Sequence, residues 1–252
     1  MPPRFFIDQA LNSGEALSLP AGPARHVQVL RLQPGAEITL FDGLGGEWGA
    51  TVTRMGRSEV AVQVGTRHAV DRELGLPVLI ALGMPANERM DAVVEKATEL
   101  GANAFQPLLC ERSVLRLSGE RADKKVAHWR AVAVSACEQS GRTQVPHVAP
   151  VATLTDWLRG LPPVAEAGMA RWMLSFRDAV PLDASTLPAA GVICLSGPEG
   201  GLSAAEEDAA RAAGFLAVSL GPRVLRADTA PLAVLGHLGL GHFALSALAR
   251  PA

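Results

Sequence analysis

The stretch 195–206, LSGPEGGLSAAE, decides the fold because it marks both the end of a strand and the start of a helix. The apolar run that leads into it, 191–195 (GVICL), has the composition of a buried strand. Ser203 and Glu206 form an S-x-x-E capping box, which is typical of a helix N-terminus. The glycine-rich loop is therefore predicted to join a buried strand to a helix start, where free backbone N–H groups point outward.

A second loop of the same kind, LGPRVLRADTAP (220–231), follows the apolar run 216–220 and leads into a predicted helix at about 229–248. Two such loops at the carboxyl ends of neighbouring parallel strands form one crevice, which is where α/β sheets bind ligands. Neither loop is followed by a P-loop lysine, and the chain has no G-x-G-x-x-G. The crevice is therefore not expected to hold a nucleoside triphosphate or a dinucleotide.

The first 65 residues are predicted to be all-β. The glycine-rich stretch 43–49, GLGGEWG, is interpreted as a hairpin turn and not as a nucleotide loop, because it lies between two β-type runs. Short strands with a single buried face need closure, so this part is predicted to form a small barrel. The β-type runs are 36–43, 47–54 and 58–65.

A domain boundary is predicted in the polar stretch 68–76, which separates domains at 1–67 and 76–252. Beyond it, strands and helices alternate, which is typical of an α/β fold with a parallel sheet. The predicted strands are 77–83, 105–109, 171–176, 191–195 and 216–220, and the predicted helices are 87–101, 121–140, 203–213 and about 229–248.

Composition narrows the class of protein. Hydrophobic residues make up 48% and charged residues 19% of the chain, as in globular proteins. The three cysteines at 110, 137 and 194 are far apart with no C-x-x-C, which predicts reduced thiols in the cytoplasm and no zinc cluster.

His237 and His242 are five residues apart and share no helix face, so no metal site is expected there. The apolar stretch 230–249 contains two histidines and a proline and predicts a buried interface helix, not a membrane span.

Five separated motifs resemble known RNA-modifying enzymes. LSGPEGGLSAAE and SLGPRVLRADTA (219–230) resemble the SPOUT methyltransferases. The whole set is similar, more narrowly, to the ribosomal RNA small subunit methyltransferase E family. The other three motifs are RHVQVLRLQPG (25–35), KATELGANAFQPLLCERSV (96–114) and CEQSGRTQVPHV (137–148). The resemblance implies a parallel sheet threaded into a trefoil knot with flanking helices, and a small PUA-like, RNA-binding β-barrel at the N-terminus.

The resemblance also implies an activity: methylation by S-adenosylmethionine of N3 of a uridine in 16S rRNA. The substrate is expected to be folded, either a ribosomal RNA helix junction or the assembled 30S subunit, because neither part of the chain has enough positive charge to bind free oligonucleotides tightly. The resemblance further implies a homodimer that uses neither a membrane nor a metal. Two other readings stay open, a catalytically silent RNA-binding or ribosome-assembly protein and a knotted methyltransferase with another RNA target. In one position the chain departs from the family, because Asp228 stands where a glutamate is common.

Backbone groups of the two glycine loops are expected to hold the cofactor. The cofactor-binding candidates are Leu195, Ser196, Gly197, Glu199, Gly200, Gly201, Leu220, Gly221, Arg223 and Leu225. Tight chain crossing is a structural alternative for the glycines that is compatible with cofactor binding. Glu199 is also a candidate for a structural role near a helix N-terminus.

Two residues of the second loop are catalytic candidates. Uracil N3 must lose its proton, and the negative charge then spreads to O2 and O4, where a guanidinium can stabilise it. Arg226 is the candidate for this role, and a salt bridge to Asp228 or Glu199 is its structural alternative. Asp228 is a candidate proton acceptor or, alternatively, a cap of the last helix.

RNA contacts are expected in two places. Glu138, Gln139, Ser140 and Arg142 end the long helix and suit a base edge and a phosphate, although they could be ordinary caps. Residues 106–146 carry seven basic and four acidic residues, net +3, and Arg142 is expected to contact a phosphate. Residues 1–67 have no net charge, so they are expected to bind RNA through a few contacts, namely Arg25, His26 and Arg31.

Overall fold

The computed structural model describes residues 2–57, 59–182 and 190–248, and the chain forms two compact units. The first unit contains the residues up to Glu73 together with Val134–Val145, and the second contains Leu74–Ala133 and the residues from Pro146 onward. The boundary therefore falls between Glu73 and Leu74, and the end of the long central helix belongs to the first unit. The predicted domain bounds had placed residues 134–145 in the C-terminal domain, 76–252.

The first unit is built on a five-stranded sheet with the strand order β1-β3-β4-β5-β2. The strands are β1 (Arg4–Phe6), β2 (Ala16–Ser18), β3 (Glu37–Phe41), β4 (Glu47–Met55) and β5 (Val60–His68). β1 pairs with β3 in parallel, and the other pairs are antiparallel. The predicted hairpin around 43–49 is confirmed, because β3 and β4 pair antiparallel and Gly43, Gly45 and Gly46 in their turn have φ between 80° and 105°.

A helix in the first unit shows that the prediction of an all-β region was wrong. α1 (Ala21–Val29) follows Pro20 and places Ala24 and Val27, three residues apart, in the core. This spacing matches one helical turn, but the helix is too short for its period to stand out from the sequence alone. The core that it helps to close includes Phe5, Leu40 and Val62, all fully buried.

The second unit is an α/β fold around an eight-stranded sheet in which every strand pair is parallel. The strand order is β11-β13-β10-β12-β6-β7-β8, and β9 also pairs with β7. The strands are β6 (Val78–Gly83), β7 (Ala104–Leu109), β8 (His147–Val148), β9 (Ala152–Thr153), β10 (Ala170–Leu174), β11 (Val180–Pro181), β12 (Val192–Ser196) and β13 (Leu216–Ser219).

Helices connect these strands. They are α2 (Asn87–Glu99), α3 (Gly119–Ser140), α4 (Leu154–Gly160), α5 (Val164–Ala167), α6 (Ala204–Ala212) and α7 (Thr229–Leu248). All five strands and four helices predicted for this part are confirmed. The sequence missed the two-residue strands and the short helices α4 and α5, whose patterns are too brief to show a period. No helix within the described ranges is long and apolar enough to cross a membrane.

The central strands of the second unit have continuous apolar sequences because both of their faces are buried in its core. β12 is buried along its whole length because it has a neighbour on each side and helices on both faces. On α3, the fully buried Trp129 donates its indole N–H to the carboxylate of Asp91 on α2 at 3.0 Å. α7 is buried along one side at Val234, Leu235 and Leu238.

Candidate active site

A cavity of about 630 Å³ opens at the carboxyl ends of three adjacent strands, β13, β10 and β12. This is the crevice that the two glycine loops predicted. Its walls are formed by 196–202 after β12, by 218–220 and 223–227 after β13, and by 174–177 after β10, together with Arg89, Glu207 and Ala230.

The loop after β12 folds tightly back on itself, and two of its glycines make this possible. A Cβ on Gly197 would lie 2.8 Å from the backbone nitrogen of Leu202 and 2.9 Å from the carbonyl carbon of Gly201. Gly201 has φ +70°, and its N–H donates to the carbonyl oxygen of Pro198 at 2.8 Å. Any larger residue at 197 would have to displace backbone, and an L-residue at 201 would be strained. Both glycines are therefore required by the fold of the loop.

Two charged side chains hold this loop in place. Arg112 donates to the carbonyl oxygens of Gly200 at 2.9 Å and Leu202 at 3.2 Å. Glu199 accepts from the backbone N–H of Ala86 at 2.9 Å and lies 3.5 Å from the guanidinium of Arg89. The carboxylate thus lies at the N-terminus of α2, where the helix dipole favours a negative charge. The loop is positioned before any ligand arrives.

The predicted capping box that starts α6 is confirmed. Ser203 Oγ accepts from the N–H of Glu206 at 3.3 Å, and Glu206 Oε2 accepts from the N–H of Ser203 at 2.9 Å. The other carboxylate oxygen of Glu206 accepts from the N–H of Glu111 at 2.7 Å. The box therefore fixes the far end of the glycine loop as well as the helix.

The loop after β13 presents cationic side chains to solvent. Arg223 and Arg226 are both exposed and line the cavity. Within the described residues Arg226 forms no ion pair, so the alternative of a salt bridge to Asp228 or Glu199 is not realised. Asp228 does not line the cavity, and its Oδ1 accepts from the Thr229 hydroxyl at 3.3 Å, immediately before α7.

A third loop, which the sequence did not indicate, completes the cavity. Ser175, Phe176 and Arg177 follow β10, and their position next to the glycine loops depends on β10 lying between β13 and β12. The apolar run at 171–176 could have indicated the loop, since the carboxyl ends of parallel strands share one edge. The strand order that makes the loop a neighbour of the other two cannot be read from the sequence.

Eight of the ten cofactor-binding candidates line the cavity, and two do not. Leu195 is fully buried within β12, and Gly221, with φ +103°, lies at the exposed turn of the second loop. The eight that line it are Ser196, Gly197, Glu199, Gly200, Gly201, Leu220, Arg223 and Leu225.

All seven RNA-contact candidates belong to the first unit. Arg25, His26 and Arg31 are exposed on and just after α1. Glu138 accepts from the backbone N–H of Phe6 at 2.9 Å, and burial raises the pKa of this carboxyl, with the charge of His26 acting in the opposite direction. His26 packs edge-on against the Phe5 ring, with ring centroids 5.2 Å apart, and Glu138 binds the next residue along β1, Phe6, so β1 contacts both candidates.

The next two RNA-contact candidates, Gln139 and Ser140, are the last residues of α3. Gln139 is exposed next to Glu138, while Ser140 is half-buried and its Oγ has no hydrogen-bond partner among the described residues.

Arg142 is buried beside a carboxylate. It is 3% exposed, and its guanidinium forms a buried ion pair with Glu73, with Nε donating to Oε2 at 2.9 Å. The burial of this guanidinium and its pairing with Glu73 favour a structural role, and the phosphate contact of Arg142 stays a prediction.

Thiol chemistry has no place at the cavity. Cys110, Cys137 and Cys194 are free and buried, and burial raises the pKa of each thiol to about 12. Since the thiolate is the nucleophile, none of the three is activated at neutral pH. The described part of the chain contains no cluster of three His, Cys, Asp or Glu side chains that could hold a metal ion.

Known families match both parts of the chain. The RNA methyltransferase domain family matches residues 72–239, and the RNA methyltransferase PUA domain family matches residues 24–65. The chain is 32% identical to the ribosomal RNA small subunit methyltransferase E of Bacillus subtilis over 93% of its length and 95% of that protein. It is also 32% identical to the protein of the same name from Mycobacterium tuberculosis, over 94% of its length and 90% of that protein.

Solved structures agree with the sequence matches. A crystal structure of a ribosomal RNA small subunit methyltransferase E from Neisseria gonorrhoeae, bound to S-adenosyl methionine, superimposes with a TM-score of 0.87 at 34% identity. It covers 95% of this chain and 98% of that one. The predicted parallel α/β fold, preceded by a small PUA domain, is confirmed. The chain belongs to the ribosomal RNA small subunit methyltransferase E family of RNA methyltransferases.

Proposed function

We propose that this protein transfers a methyl group from S-adenosylmethionine to N3 of a uridine in 16S rRNA, and that its substrate is the assembled 30S subunit. The observation that carries the proposal is the cavity at β10, β12 and β13. It combines a preformed glycine loop with an exposed guanidinium, Arg226, that no carboxylate neutralises within the described residues.

The cavity fits the cofactor in size and in chemistry. Its volume of about 630 Å³ lies within the range of about 300–1,000 Å³ that small-molecule sites occupy. Gly197 and Gly201 leave no side chain at the point where the loop turns, so backbone N–H and C=O groups of 196–202 can approach a ligand directly. When bound, S-adenosylmethionine supplies a methyl group that its sulfonium has already activated.

The groups that would hold the cofactor are therefore mainly those of the backbone. On one wall they come from Ser196, Gly197, Gly200 and Gly201. On the other wall Leu220 and Leu225 offer apolar contact, and Arg223 offers a charge. Leu195 is assigned only to the packing of its buried strand, and Gly221 is assigned to the turn that positions the second loop. We assign Glu199 to holding the loop at α2.

Arg226 is proposed to stabilise the charge that develops on the base. The N3 proton passes to solvent water, which leaves negative charge on O2 and O4, and a guanidinium offers two parallel N–H donors to such an edge. In the free protein this side chain is exposed, so its field is weakened by water until the RNA covers the cavity. Asp228 is assigned to the start of α7 and not to proton transfer, because it does not line the cavity.

Recognition of the RNA is proposed to involve the first unit. Arg25, His26 and Arg31 are exposed on α1 and beside it, and Glu138 and Gln139 provide a carboxylate and an amide. Residues 1–67 carry no net charge, so this unit supplies little overall attraction for free RNA, whose binding depends on neutralising phosphates. A folded substrate that offers many weak contacts at once, such as an assembled subunit, suits this surface better than a short oligonucleotide.

We also propose that the protein is a homodimer of the cytoplasm, where its substrate is assembled. α7 carries the exposed Leu240, which is 77% accessible, on a helix whose sequence remains apolar to its end. A helix of this kind is expected to be covered by a second copy. Sedimentation equilibrium at micromolar concentration tests this, and a monomer would contradict it.

The experiment that tests the function is mass mapping of 16S rRNA from a strain that lacks the gene, followed by methylation in vitro. Purified 30S subunits from that strain should accept one methyl group per particle at a uridine N3, and naked 16S rRNA should accept far less. Binding of S-adenosylmethionine without transfer to any RNA would favour the silent RNA-binding reading. Transfer to a different nucleotide would favour a related enzyme with another target.

A further inference from the structure

Phe176 is an exposed aromatic side chain at the cavity. It is 60% accessible and follows β10. Among the lining residues, all of which belong to the described part of the chain, it is the single aromatic one. Exposed apolar side chains are common on protein surfaces, so its meaning depends on how it is held and what it faces.

The residues on either side of Phe176 are anchored to α6. Ser175 Oγ donates to one carboxylate oxygen of Glu207 at 2.8 Å, and Arg177 Nε lies 2.8 Å from the other. The backbone N–H of Arg177 donates to Ser175 Oγ at 3.0 Å, and its guanidinium also pairs with Asp208. The turn that carries the ring is therefore ordered in advance, and a ligand that contacts the ring need not bear the entropic cost of fixing it.

The residues that line the cavity differ in solvent exposure. Ser196 is 3% exposed and Leu202 is 8% exposed, so the two ends of the glycine loop are buried, although Glu199 and Gly200 between them are exposed. Phe176 and Arg226 are exposed and lie at the mouth. A cofactor held by the glycine loop would lie next to these buried ends, and an RNA that approaches from solvent can reach the exposed ring and guanidinium directly.

We propose that Phe176 stacks on the nucleobase that receives the methyl group and holds it at the mouth of the cavity, beside Arg226. This inference rests on the proposed function. N3 of uracil lies on the base-pairing edge, so the base must leave its stack and its pair before the edge can face a methyl donor. An aromatic face replaces part of the stacking that the base loses, as it does in proteins that bind unstacked bases.

The test compares Phe176→Ala, Phe176→Leu and Phe176→Trp in methylation of 30S subunits from the deletion strain. Loss of one base–aromatic stack should raise the KM for the subunit about 5- to 100-fold in the alanine and leucine variants. The tryptophan variant should stay close to wild type, because it keeps an aromatic face. The matched control is Leu216→Ala, since Leu216 is 51% exposed on β13 but does not line the cavity, and its KM should not change.

Calorimetry with S-adenosylmethionine separates the base from the cofactor as the partner of the ring. Unchanged cofactor affinity together with a raised KM for the subunit supports the inference. A loss of cofactor affinity in Phe176→Ala overturns it, because the ring would then contact the cofactor. Leucine performing as well as phenylalanine, or an unchanged KM in the alanine variant, also overturns it. A wild-type protein that methylates no RNA would instead refute the proposed function, and with it this inference.

Discussion

The guanidinium of Arg112 holds the carbonyl oxygen of Gly200 at 2.9 Å and so ties the end of β7 to the glycine loop after β12. The same nitrogen also donates to the carbonyl of Leu202 at 3.2 Å. Arg112 itself does not line the cavity, so it acts on the loop and not on a ligand there. Arg112 was not among the candidates from the sequence, because its role depends on a contact across 88 residues.

Replacing Arg112 should therefore weaken cofactor binding without touching the cofactor. Arg112→Ala removes two hydrogen bonds from a charged donor that is itself exposed, and we expect a loss of affinity for S-adenosylmethionine of about 5- to 20-fold. Isothermal titration calorimetry measures it. Arg121→Ala, which removes an exposed arginine from α3, is the control and should bind normally. Equal affinity in the two variants would show that the loop keeps its shape without Arg112.

Two glycines of the same loop should respond differently to alanine. At Gly197 the new Cβ would lie less than 3 Å from backbone atoms of Leu202 and Gly201, so the loop must move, and we expect cofactor binding to be lost. At Gly200 the Cβ meets only the Arg112 side chain, at 3.1 Å, and φ is not in the left-handed region. Gly200→Ala should therefore bind within a fewfold of wild type. Circular dichroism on both variants ensures that folded proteins are compared, and equal loss at both positions would contradict this reading of the loop.

Local patterns predicted the part of the site that is local in the chain. The S-x-x-E pattern at Ser203 and Glu206 predicts the start of α6, and the structure contains both hydrogen bonds of this capping box. Phe176 could not be placed in the same way, because its position depends on β10 lying between β12 and β13, and strand order is set by packing of distant segments. The burial of Arg142 was missed for a related reason, since its partner Glu73 is 69 residues away.

The Arg142–Glu73 pair makes a prediction about stability. Both side chains are buried, at 3% and 8% exposure, so Arg142→Ala would leave a buried carboxylate without its partner. We expect this variant to lose about 3–5 kcal/mol of unfolding free energy, measured by urea denaturation. Arg142→Met combined with Glu73→Leu removes both charges and should recover much of the loss. If Arg142→Ala is as stable as wild type but lowers the salt dependence of RNA binding, the arginine serves RNA after all.

Arg226 is the residue on which the proposed chemistry depends most directly. Its side chain is exposed at the cavity mouth and lacks an ion-pair partner within the described residues, so replacing it should not disturb the fold. Removing one donor that stabilises a developing charge typically lowers kcat about 100- to 1,000-fold, and we expect an effect of this size for Arg226→Ala. Arg226→Lys should recover only part of the rate, because a lysine keeps the charge but cannot offer two parallel N–H groups to the base edge.

The control for Arg226 is the affinity for S-adenosylmethionine, which should stay at the wild-type value in both variants. Single-turnover methylation of saturating 30S subunits reports the chemical step, and calorimetry reports the cofactor. A variant that loses cofactor affinity in proportion to its rate would place Arg226 against the cofactor. A variant that recovers its full rate at high subunit concentration would assign it to RNA binding, since stabilisation of the transition state cannot be replaced by more substrate. Only a lower rate at saturation, with cofactor affinity unchanged, agrees with a guanidinium that stabilises the charge on the base.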